Sequence, residues 1–357
     1  MSATINFGID LGTTNSLIAK CVNGKVEVFK NPIGHRETLP SVVGFRKERI
    51  LVGEKAREYV EKDAANVFAG FKRKMGTSEN FFVPNLTDFR SPIQLSSIVL
   101  AELKNFIYTG EVPQSVVITI PASFDTVQSN ATKQAGYDAG FKEVILLQEP
   151  IAASLAFVNK DSEAIEDGQW LVYDLGGGTF DVALVKVEYG EMKIIDHEGD
   201  NYLGGLDFDN LVIEKLIVPE IEKLGSFADL SNQLKSSSGK YNKLYYELLY
   251  KAEEAKILLS SSKSTEVEFE VEDDNGKEIN AYITITQDAF NAVIKSRIND
   301  TITFTKSILQ KNNLTASDIK ETILIGGSTY IPLVRNLLQT ELGIDVNASV
   351  DPTTAVV

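Results

Sequence analysis

Apolar residues occur in short runs that end at an aspartate and a glycine, and this arrangement appears near the start of the chain and again in its middle. Residues 5–9 and 170–173 are predicted strands, because short apolar runs bounded by turn residues are typical of buried strands. Each run is followed by Asp-Leu-Gly, a turn rich in glycine or hydroxyl side chains, and a second apolar run, at residues 17–20 and 182–187. The repeated pattern predicts two similar domains whose turns face a shared cleft.

Both turns carry residue types that suit a phosphate group. Glycines allow several backbone N–H groups to point at one spot without a Cβ in the way, and threonine adds a hydroxyl donor. A solvated glycine turn is the alternative for either turn taken singly, since glycine-rich loops are weak evidence on their own. Because the same kind of turn occurs twice in the chain, phosphate binding is favoured over a solvated turn. The residues concerned are Gly12, Thr13, Thr14 and Asn15 in the first turn and Gly176, Gly177, Gly178 and Thr179 in the second.

One aspartate precedes each turn, Asp10 in the first copy and Asp174 in the second. If the turns share a cleft, the two carboxylates form the kind of pair that a hydrated Mg²⁺ bridging nucleotide phosphates requires. The turns contain no Gly-Lys-Ser/Thr and lead into strands rather than helices. They are therefore neither a P-loop nor a dinucleotide-binding fingerprint.

Predicted strands and helices alternate in two comparable blocks, which indicates an α/β protein with a mixed sheet in each block. We expect residues 1–168 to form lobe I and residues 169–357 to form lobe II, with residues about 210–300 as an outer subdomain. Within that subdomain, residues 226–240 are polar and rich in serine, which predicts a flexible loop or a turn. The sequence Asp-Asp-Asn-Gly at residues 273–276 predicts a type I′ hairpin turn.

Two further positions each allow two interpretations, and one further pair of residues has a default interpretation. Glu149 precedes Pro150 after a predicted strand, so it either favours the positive end of a helix or contacts the water shell of a metal. Lys72 lies in a basic cluster at residues 72–74, which is either a solvated helix end or the source of a lysine directed at phosphate. Glu253 and Lys256 are three apart on a predicted helix and form an ordinary ion pair by default.

Composition narrows the class of protein. The 357 residues are too many for one ordinary core, and the net charge of −15, from 35 basic and 50 acidic residues, disfavours a nucleic-acid binder. A single cysteine excludes an internal disulfide, and two histidines argue against a zinc site. No apolar run reaches membrane-spanning length, and residues 1–4 lead into the first strand without a signal peptide. We therefore expect a cytoplasmic protein.

Taken together, the motifs resemble the ATPase domain of the seventy-kilodalton heat-shock chaperones, the DnaK family, within the actin and sugar-kinase fold class. The resemblance runs nearly end to end. It implies a two-lobed α/β fold of duplicated mixed-sheet domains around a nucleotide cleft, with ATP or ADP and Mg²⁺ as cofactors and slow ATP hydrolysis as the activity. The matching stretches are residues 9–16, 149–150, 174–181, 199–205, 253–256 and 326–329.

The resemblance also implies roles for individual residues. Catalysis is expected from Lys72 at the γ-phosphate, together with Glu149, Asp174, Thr179 and Asp10. The metal is expected near Asp10, Glu149, Asp174 and Asp181, mainly through water. The phosphates are expected at Thr13, Thr14 and Thr179, and the adenosine at Gly204, Gly205, Glu253, Lys256, Ser260, Gly326, Gly327 and Ser328.

The chain departs from the family pattern at several positions. The segment between Lys74 and Leu95 is shorter than usual, which resembles a trimmed branch of the family. Tyr330 replaces an arginine, and we expect its ring to stack on adenine; the alternative is a ring that points to solvent. Arginine and aspartate of the family are replaced at Ser129 and Thr353, and the stretch that offers Arg and Asn to a J-domain cochaperone reads Ile145 and Gln148.

Three functions stay open at this point. The first is a slow ATPase whose nucleotide state controls a peptide-binding domain absent from this chain, with a J-domain cochaperone and a nucleotide exchange factor as partners and client peptides bound elsewhere. The second is an ATP-bound exchange factor or scaffold that hydrolyses weakly. The third is a small-molecule kinase of the same fold class, although no motif for a substrate base is present.

Overall fold

The computed structural model describes residues 5–32, 34–161, 167–236, 238–344, 346 and 351–357, and of residues 159–161 it describes only the backbone. Residues 1–4, which the sequence analysis places directly before the first strand, lie outside the described residues. Among the described helices, none is long and apolar enough to cross a membrane.

The chain alternates strands and helices, and two β-hairpins mark the beginning of each half. The strands are Phe7–Leu11 (β1), Asn15–Val22 (β2), Lys25–Val28 (β3), Leu39–Pro40 (β4), Val42–Arg46 (β5), Arg49–Val52 (β6), Val67–Ala69 (β7), Phe81–Val83 (β8), Asp88–Arg90 (β9), Ser115–Ile120 (β10), Glu143–Gln148 (β11), Gly168–Leu175 (β12), Phe180–Glu188 (β13), Glu191–Asp200 (β14), Ser264–Glu272 (β15), Glu278–Thr286 (β16) and Ile319–Ile325 (β17).

The helices cover the sheets and build most of the outer part of the second half. They are Glu54–Asp63 (α1), Pro92–Lys104 (α2), Thr126–Asp138 (α3), Glu149–Asp161 (α4), Gly205–Val212 (α5), Val218–Leu224 (α6), Leu230–Lys235 (α7), Asn242–Leu259 (α8), Gln287–Lys311 (α9) and Pro332–Leu342 (α10). A π-helical turn, Ile213–Ile217, joins α5 to α6, and short 3-10 helices lie at Ala64–Asn66, Phe71–Lys74, Pro84–Leu86, Ala316–Asp318 and Gly327–Tyr330.

The two central sheets have the same local plan. In the first sheet β1 lies between β10, to which it is parallel, and β2, to which it is antiparallel. In the second sheet β12 lies between the parallel β17 and the antiparallel β13. Because β1 and β12 both end at a turn that starts their antiparallel partner, the two acidic turns lie at corresponding positions. The mixed α/β fold and the duplication predicted from the sequence are confirmed.

Helix α4 belongs to the first half of the chain but packs on both sheets. Its residues Ala153 and Phe157 share an apolar cluster with Trp170 and Val172 of β12 and with Ile323 of β17. The helix also contacts β10 and β11 of the first sheet. Burial of this apolar surface between the sheets holds the two lobes together.

Two expectations for the outer subdomain are wrong. Residues 226–240 contain helix α7, whose Leu230 and Leu234 are buried in the lobe II core, so apolar burial overrides the polar composition of that stretch. The β15–β16 connection is a five-residue loop in which Gly276 has a positive φ but Asn275 does not, so it is not a type I′ turn. Instead the Asp273 carboxylate accepts hydrogen bonds from the backbone N–H groups of Asn275 and Lys277.

Candidate functional site

A cavity of about 400 Å³ lies between the two lobes, at the ends of β1 and β12. It is lined by both acidic turns, by Lys72 and Glu149 from lobe I, and by α8 and a third glycine turn, residues 326–328, from lobe II. The carboxyl ends of the central strands and the start of α4 therefore converge on one space. Cavities at such strand ends are the usual ligand sites of open α/β sheets.

The first turn, Gly12–Thr14, is supported from behind by a buried serine pair. The hydroxyl of Ser41 donates to the carbonyl of Gly12 at 2.8 Å and lies 2.8 Å from the hydroxyl of Ser16. The backbone N–H of Ser41 donates to the carbonyl of Thr14. These contacts direct the turn's carbonyl groups away from the cavity, and they were not predicted from the sequence.

The second turn is supported by the beginning of α5. The backbone N–H of Gly205 donates to the carbonyl of Gly176, and that of Leu206 donates to the carbonyl of Gly177. The hydroxyl of Ser328, from the third glycine turn, also donates to Gly176 at 2.9 Å. Since the carbonyl groups of this turn have partners outside the cavity, its face toward the cavity is free to present N–H groups.

The two turns touch each other directly. A Cβ atom at Gly177 would lie 2.1 Å from the Thr14 hydroxyl, and one at Gly178 would lie 2.4 Å from a methyl group of Thr13. The glycines were predicted as a means for a phosphate to approach the backbone. In the structure Gly177 and Gly178 also make room for the threonines of the opposite turn, which is a steric requirement of lobe closure.

Lys72 and Glu149 form a buried ion pair in the cavity wall. The Nζ of Lys72 donates to Oε1 of Glu149 at 3.0 Å, and both side chains are less than a tenth exposed. Lys72 belongs to the 3-10 helix Phe71–Lys74, whereas Glu149 starts α4. The interpretation of Lys72 as part of a solvated helix end is therefore wrong for this residue.

Four carboxyl groups surround this single lysine. Burial first and the charge of Glu149 second raise the pKa of Asp10 to about 7, although Lys72 opposes the shift. Burial likewise raises the pKa of Asp181 to about 7 and raises the pKa of Asp174 well above its usual value, with Glu149 adding to both. Although burial opposes the charge of Lys72, the neighbouring carboxylates outweigh it and raise the pKa of its ammonium group. The described site thus has an excess of negative charge.

At the other end of the cavity, the expected ion pair between Glu253 and Lys256 does not form. Glu253 pairs with Arg57 of α1, across the lobes. The Nζ of Lys256 donates to Asp209 at 2.8 Å and to the carbonyl of Gly205 at 3.1 Å. Each side chain therefore bridges α8 to a different element, and both still line the cavity.

Tyr330 lies at the rim of this end, after the third glycine turn. Its hydroxyl donates to Asp351 at 2.9 Å, and 42% of the residue is exposed. It lines the cavity together with Ile257, Ser260 and Thr353. The expected stacking of its ring on adenine stays a prediction.

The basic cluster at residues 72–74 divides into three different environments. Lys72 is buried in the cavity wall, Lys74 pairs with Glu79 of its own lobe, and Arg73 crosses to lobe II. Arg73 donates to the carbonyl of Gly178 and to Asp207. The solvated-helix-end interpretation therefore fits only Lys74.

Most of the residues predicted from the sequence line the cavity. The exceptions are Asp181, which is buried behind the second turn, and Gly178, Gly204 and Gly205, which pack against one another within that turn and its support. The predicted residues that line it are Asp10, Gly12, Thr13, Thr14, Asn15, Lys72, Glu149, Asp174, Gly176, Gly177, Thr179, Glu253, Lys256, Ser260, Gly326, Gly327, Ser328 and Tyr330.

Several lining residues were not predicted. Most are apolar or lie in segments with no motif, and an apolar residue beside a ligand has the same sequence pattern as one in a core. Pro352 and Thr353 reach the cavity because the backbone N–H of Gly326 donates to the carbonyl of Pro352. The lining residues missed are Leu17, Thr38, Ile257, Ile325, Ile331, Pro352, Thr353 and Val356.

The residues present fit a phosphate group with a hydrated cation. Oδ1 of Asp181 is buried without a hydrogen-bond partner among the described residues, and three carboxyl groups here have raised pKa values, so added positive charge would stabilise the site. Within the described ranges no group of three carboxylates, histidines or cysteines could ligate a metal directly. A cation held mainly through water, as Mg²⁺ commonly is, matches this arrangement.

Fold and site together define an actin-like, two-lobed protein with a nucleotide-sized cleft. The family model described as Hsp70 protein matches residues 6–357, and the chain belongs to the Hsp70 family. It is 36% identical to the chaperone protein DnaK of Metamycoplasma hominis over 99% of this chain and 57% of that protein. It is 37% identical to the DnaK of Mycoplasma mobile over 97% of this chain and 55% of that protein. The chain thus spans little more than half the length of these relatives.

The raised pKa values predict how the stability of the ligand-free protein depends on pH. Between the usual carboxyl pKa of 3.8 and the folded value of about 7, the folded state binds more protons than the unfolded state. These groups therefore make the protein more stable as the pH falls from about 8 to about 6. Asp181→Asn, which removes one buried charge, should raise the melting temperature at about pH 8 by roughly 2 °C or more and flatten the pH dependence.

Asp138→Asn is the matched control, because Asp138 is an exposed carboxylate on α3. It should leave the difference in melting temperature between the two pH values unchanged. If Asp181→Asn keeps the parent's pH dependence, the buried carboxyl of Asp181 is not a source of it.

Proposed function

We propose that this chain binds ATP and ADP with Mg²⁺ and hydrolyses ATP slowly, as the ATPase domain of a DnaK-like chaperone. The observation that carries the proposal is the meeting of two glycine turns, Lys72, and three carboxylates (Asp10, Glu149 and Asp174) in one cavity between two lobes. Membership of the Hsp70 family and similarity to DnaK chaperones support it.

In this proposal, residues at different positions in the site bind the phosphates, hold the metal and assist hydrolysis. Backbone N–H groups of the turns Gly12–Thr14 and Gly176–Thr179, with the threonine hydroxyls, bind the phosphates. Asp10 and Asp174, with Glu149 and Asp181 farther out, hold the water shell of Mg²⁺, which neutralises phosphate charge when bound. Glu149 orients a water molecule for attack and also holds Lys72, whose ammonium group stabilises negative charge at the terminal phosphate.

The adenosine is proposed to lie between α8 and the third glycine turn. Lys256, fixed by Asp209, and Ser260 contribute polar contacts there, while Ile257 and Ile331 provide apolar surface. Gly326 and Gly327 allow the backbone to approach the sugar or base closely. Gly204 and Gly205 contribute by supporting the second turn rather than by lining the cavity.

The whole protein is proposed to be a cytoplasmic molecular chaperone in which nucleotide state controls a peptide-binding domain outside this chain. Lobe I is assigned to residues 1–168 and lobe II to residues 169–357, with residues about 210–300 as the outer subdomain. Ile145, on β11, is 45% exposed, and Gln148 follows it at the end of the same strand. A cochaperone that docks here would meet uncharged side chains at these two positions, where the family pattern offers Arg and Asn to a J-domain.

Magnesium nucleotide should stabilise the protein. At about a hundred times Kd, Mg-ATP or Mg-ADP should add roughly 2.7 kcal/mol to the free energy of unfolding, because only the folded state binds. EDTA should reduce the gain, since the carboxylates then face the phosphates without a cation. Thermal unfolding with and without nucleotide measures this, and a melting temperature that responds to neither nucleotide would contradict the proposed function.

Lys72→Ala should remove most of the hydrolysis and little of the binding. The chemical step should slow by at least about a hundredfold, or roughly 2.7 kcal/mol, because the cation nearest the developing charge is lost. Nucleotide affinity should fall by less than about tenfold, since the turns and the adenosine contacts remain. Single-turnover hydrolysis of pre-bound ATP separates the chemical step from product release.

Lys74→Ala is the control for this experiment, because Lys74 carries the same charge two residues away and pairs with Glu79. It should hydrolyse ATP like the parent. Equal slowing of Lys72→Ala and Lys74→Ala would mean that the basic cluster acts as a diffuse field. A parent that binds Mg-ATP but does not turn over would favour the scaffold function.

Tyr330→Ala should weaken ADP binding by about 1–3 kcal/mol if the ring stacks on adenine, taking the scale of base–aromatic stacking. Tyr330→Phe keeps the ring and loses only the hydrogen bond to Asp351, so its affinity should stay close to the parent's. Isothermal calorimetry measures both. An unchanged affinity in Tyr330→Ala, or equal losses in the two variants, would rule out stacking.

A further inference from the structure

Arg73 is a lobe I side chain whose described hydrogen bonds go to lobe II. Its Nη2 donates to Oδ2 of Asp207 at 2.9 Å and also to the carbonyl of Gly178. The side chain is only 14% exposed, and its guanidinium carbon lies 5.6 Å from the centre of the Tyr202 ring. Arg73 does not line the cavity, so none of these contacts needs a ligand.

Asp207 links this contact to the support of the second turn. Its Oδ2 also accepts a hydrogen bond from the backbone N–H of Gly204 at 2.8 Å, at the start of α5. Gly204 is packed against Gly178 so closely that a Cβ on Gly204 would lie 2.6 Å from the Gly178 nitrogen. Arg73 therefore contacts the second turn directly and contacts the element that supports it.

The backbone that carries Arg73 is fixed in lobe I. Phe71 and Met75, on either side, are fully buried, and the 3-10 helix Phe71–Lys74 packs on α2. Lys72, the preceding residue, reaches Glu149 in the cavity wall. One short helix thus places one cation in the cavity and the next cation across the lobe boundary.

The contact between Arg73 and lobe II is of a kind that can break and form again. Nε of Arg73 is buried without a hydrogen-bond partner among the described residues, so the guanidinium group is only partly satisfied in the closed arrangement. A partly satisfied buried cation contributes little net stability, because its desolvation offsets much of the attraction to Asp207. The effect of Arg73 is instead to favour the closed arrangement of the second turn.

We propose that Arg73, with Gly178 and Asp207, forms a clasp that holds the second turn closed against lobe I and thereby slows release of bound nucleotide. The proposal rests on the proposed function, since release presupposes binding. Arg73 is a positioning residue in this role: it acts through the turn and touches no reacting atom.

The test is the dissociation of Mg-ADP, followed by displacement of a fluorescent ADP analogue with excess ATP. Arg73→Ala should release the analogue about tenfold faster, near the low end of the effect expected when hydrogen bonds made by a charged group are lost. The association rate should change little. Arg73→Lys keeps the charge without the guanidinium fork and should release at an intermediate rate. Lys62→Ala, which removes an exposed lobe I cation at the end of α1, should release like the parent.

A double-mutant cycle with Asp207→Asn ties the effect to the pair. Asparagine keeps an oxygen that can accept from the N–H of Gly204 but loses the charge that faces Arg73. If the clasp exists, Asp207→Asn should speed release in the parent and have little further effect in Arg73→Ala. Additive effects of the two substitutions, or release from Arg73→Ala at the parent's rate, would overturn the proposal.

A second measurement uses the nucleotide-free protein. Spin labels on Cys21, an exposed lobe I residue, and on Asn275→Cys, an exposed position in the β15–β16 loop, report the separation of the lobes. Arg73→Ala should broaden the distance distribution toward longer values, and an unchanged distribution counts against the clasp. If the parent binds no Mg-ADP, the proposed function fails and the release role fails with it, whereas the distance measurement still decides whether the clasp exists.

Discussion

The architecture depends on the direct contact between the two glycine turns. Thr13 and Thr14 of the first turn occupy the space that side chains at Gly178 and Gly177 would fill. This contact sets the distance between the lobes, and the distance fixes which side chains can face one another in the cavity. A closed cleft therefore requires two different turns: where they touch, the first supplies hydroxyl side chains and the second supplies only backbone.

The second constraint is electrostatic. Closing the lobes brings Asp10, Glu149, Asp174 and Asp181 around Lys72, so the described site holds more negative than positive charge. Burial, with the charge of Glu149 adding to it, raises the pKa values of Asp10, Asp174 and Asp181, so protons or a cation stabilise the ligand-free closed state. Binding a polyanion in such a site demands a cation with it, since neither partner alone neutralises the other. The acidic composition of the whole chain and the local chemistry of the site thus agree.

Much of the site was predictable because its residues lie in local motifs. A strand, an aspartate and a glycine turn can be recognised within ten residues, and recurrence in the second half raised the weight of each copy. The roles of Ser41 and Asp209 could not be found in this way. Each supports a residue of the cavity wall from a distant part of the chain, through contacts that depend on how the sheets and helices pack. A buried serine or aspartate has no sequence pattern of its own.

The basic cluster shows where local reasoning stops. The sequence identifies residues 72–74 as cations, and the family resemblance selects Lys72 as the one expected at the γ-phosphate. Only the fold shows that the three side chains lie in different environments. A 3-10 helix turns by about 120° per residue, so successive side chains point in three directions. One direction meets Glu149, the next meets lobe II, and the third meets Glu79 and solvent. Because Lys72 and Arg73 share one backbone that is fixed in lobe I, a second turn that separates from Arg73 also changes its position relative to Lys72. The geometry of the cation in the cavity wall and the closure of the lobes are therefore coupled through one peptide bond.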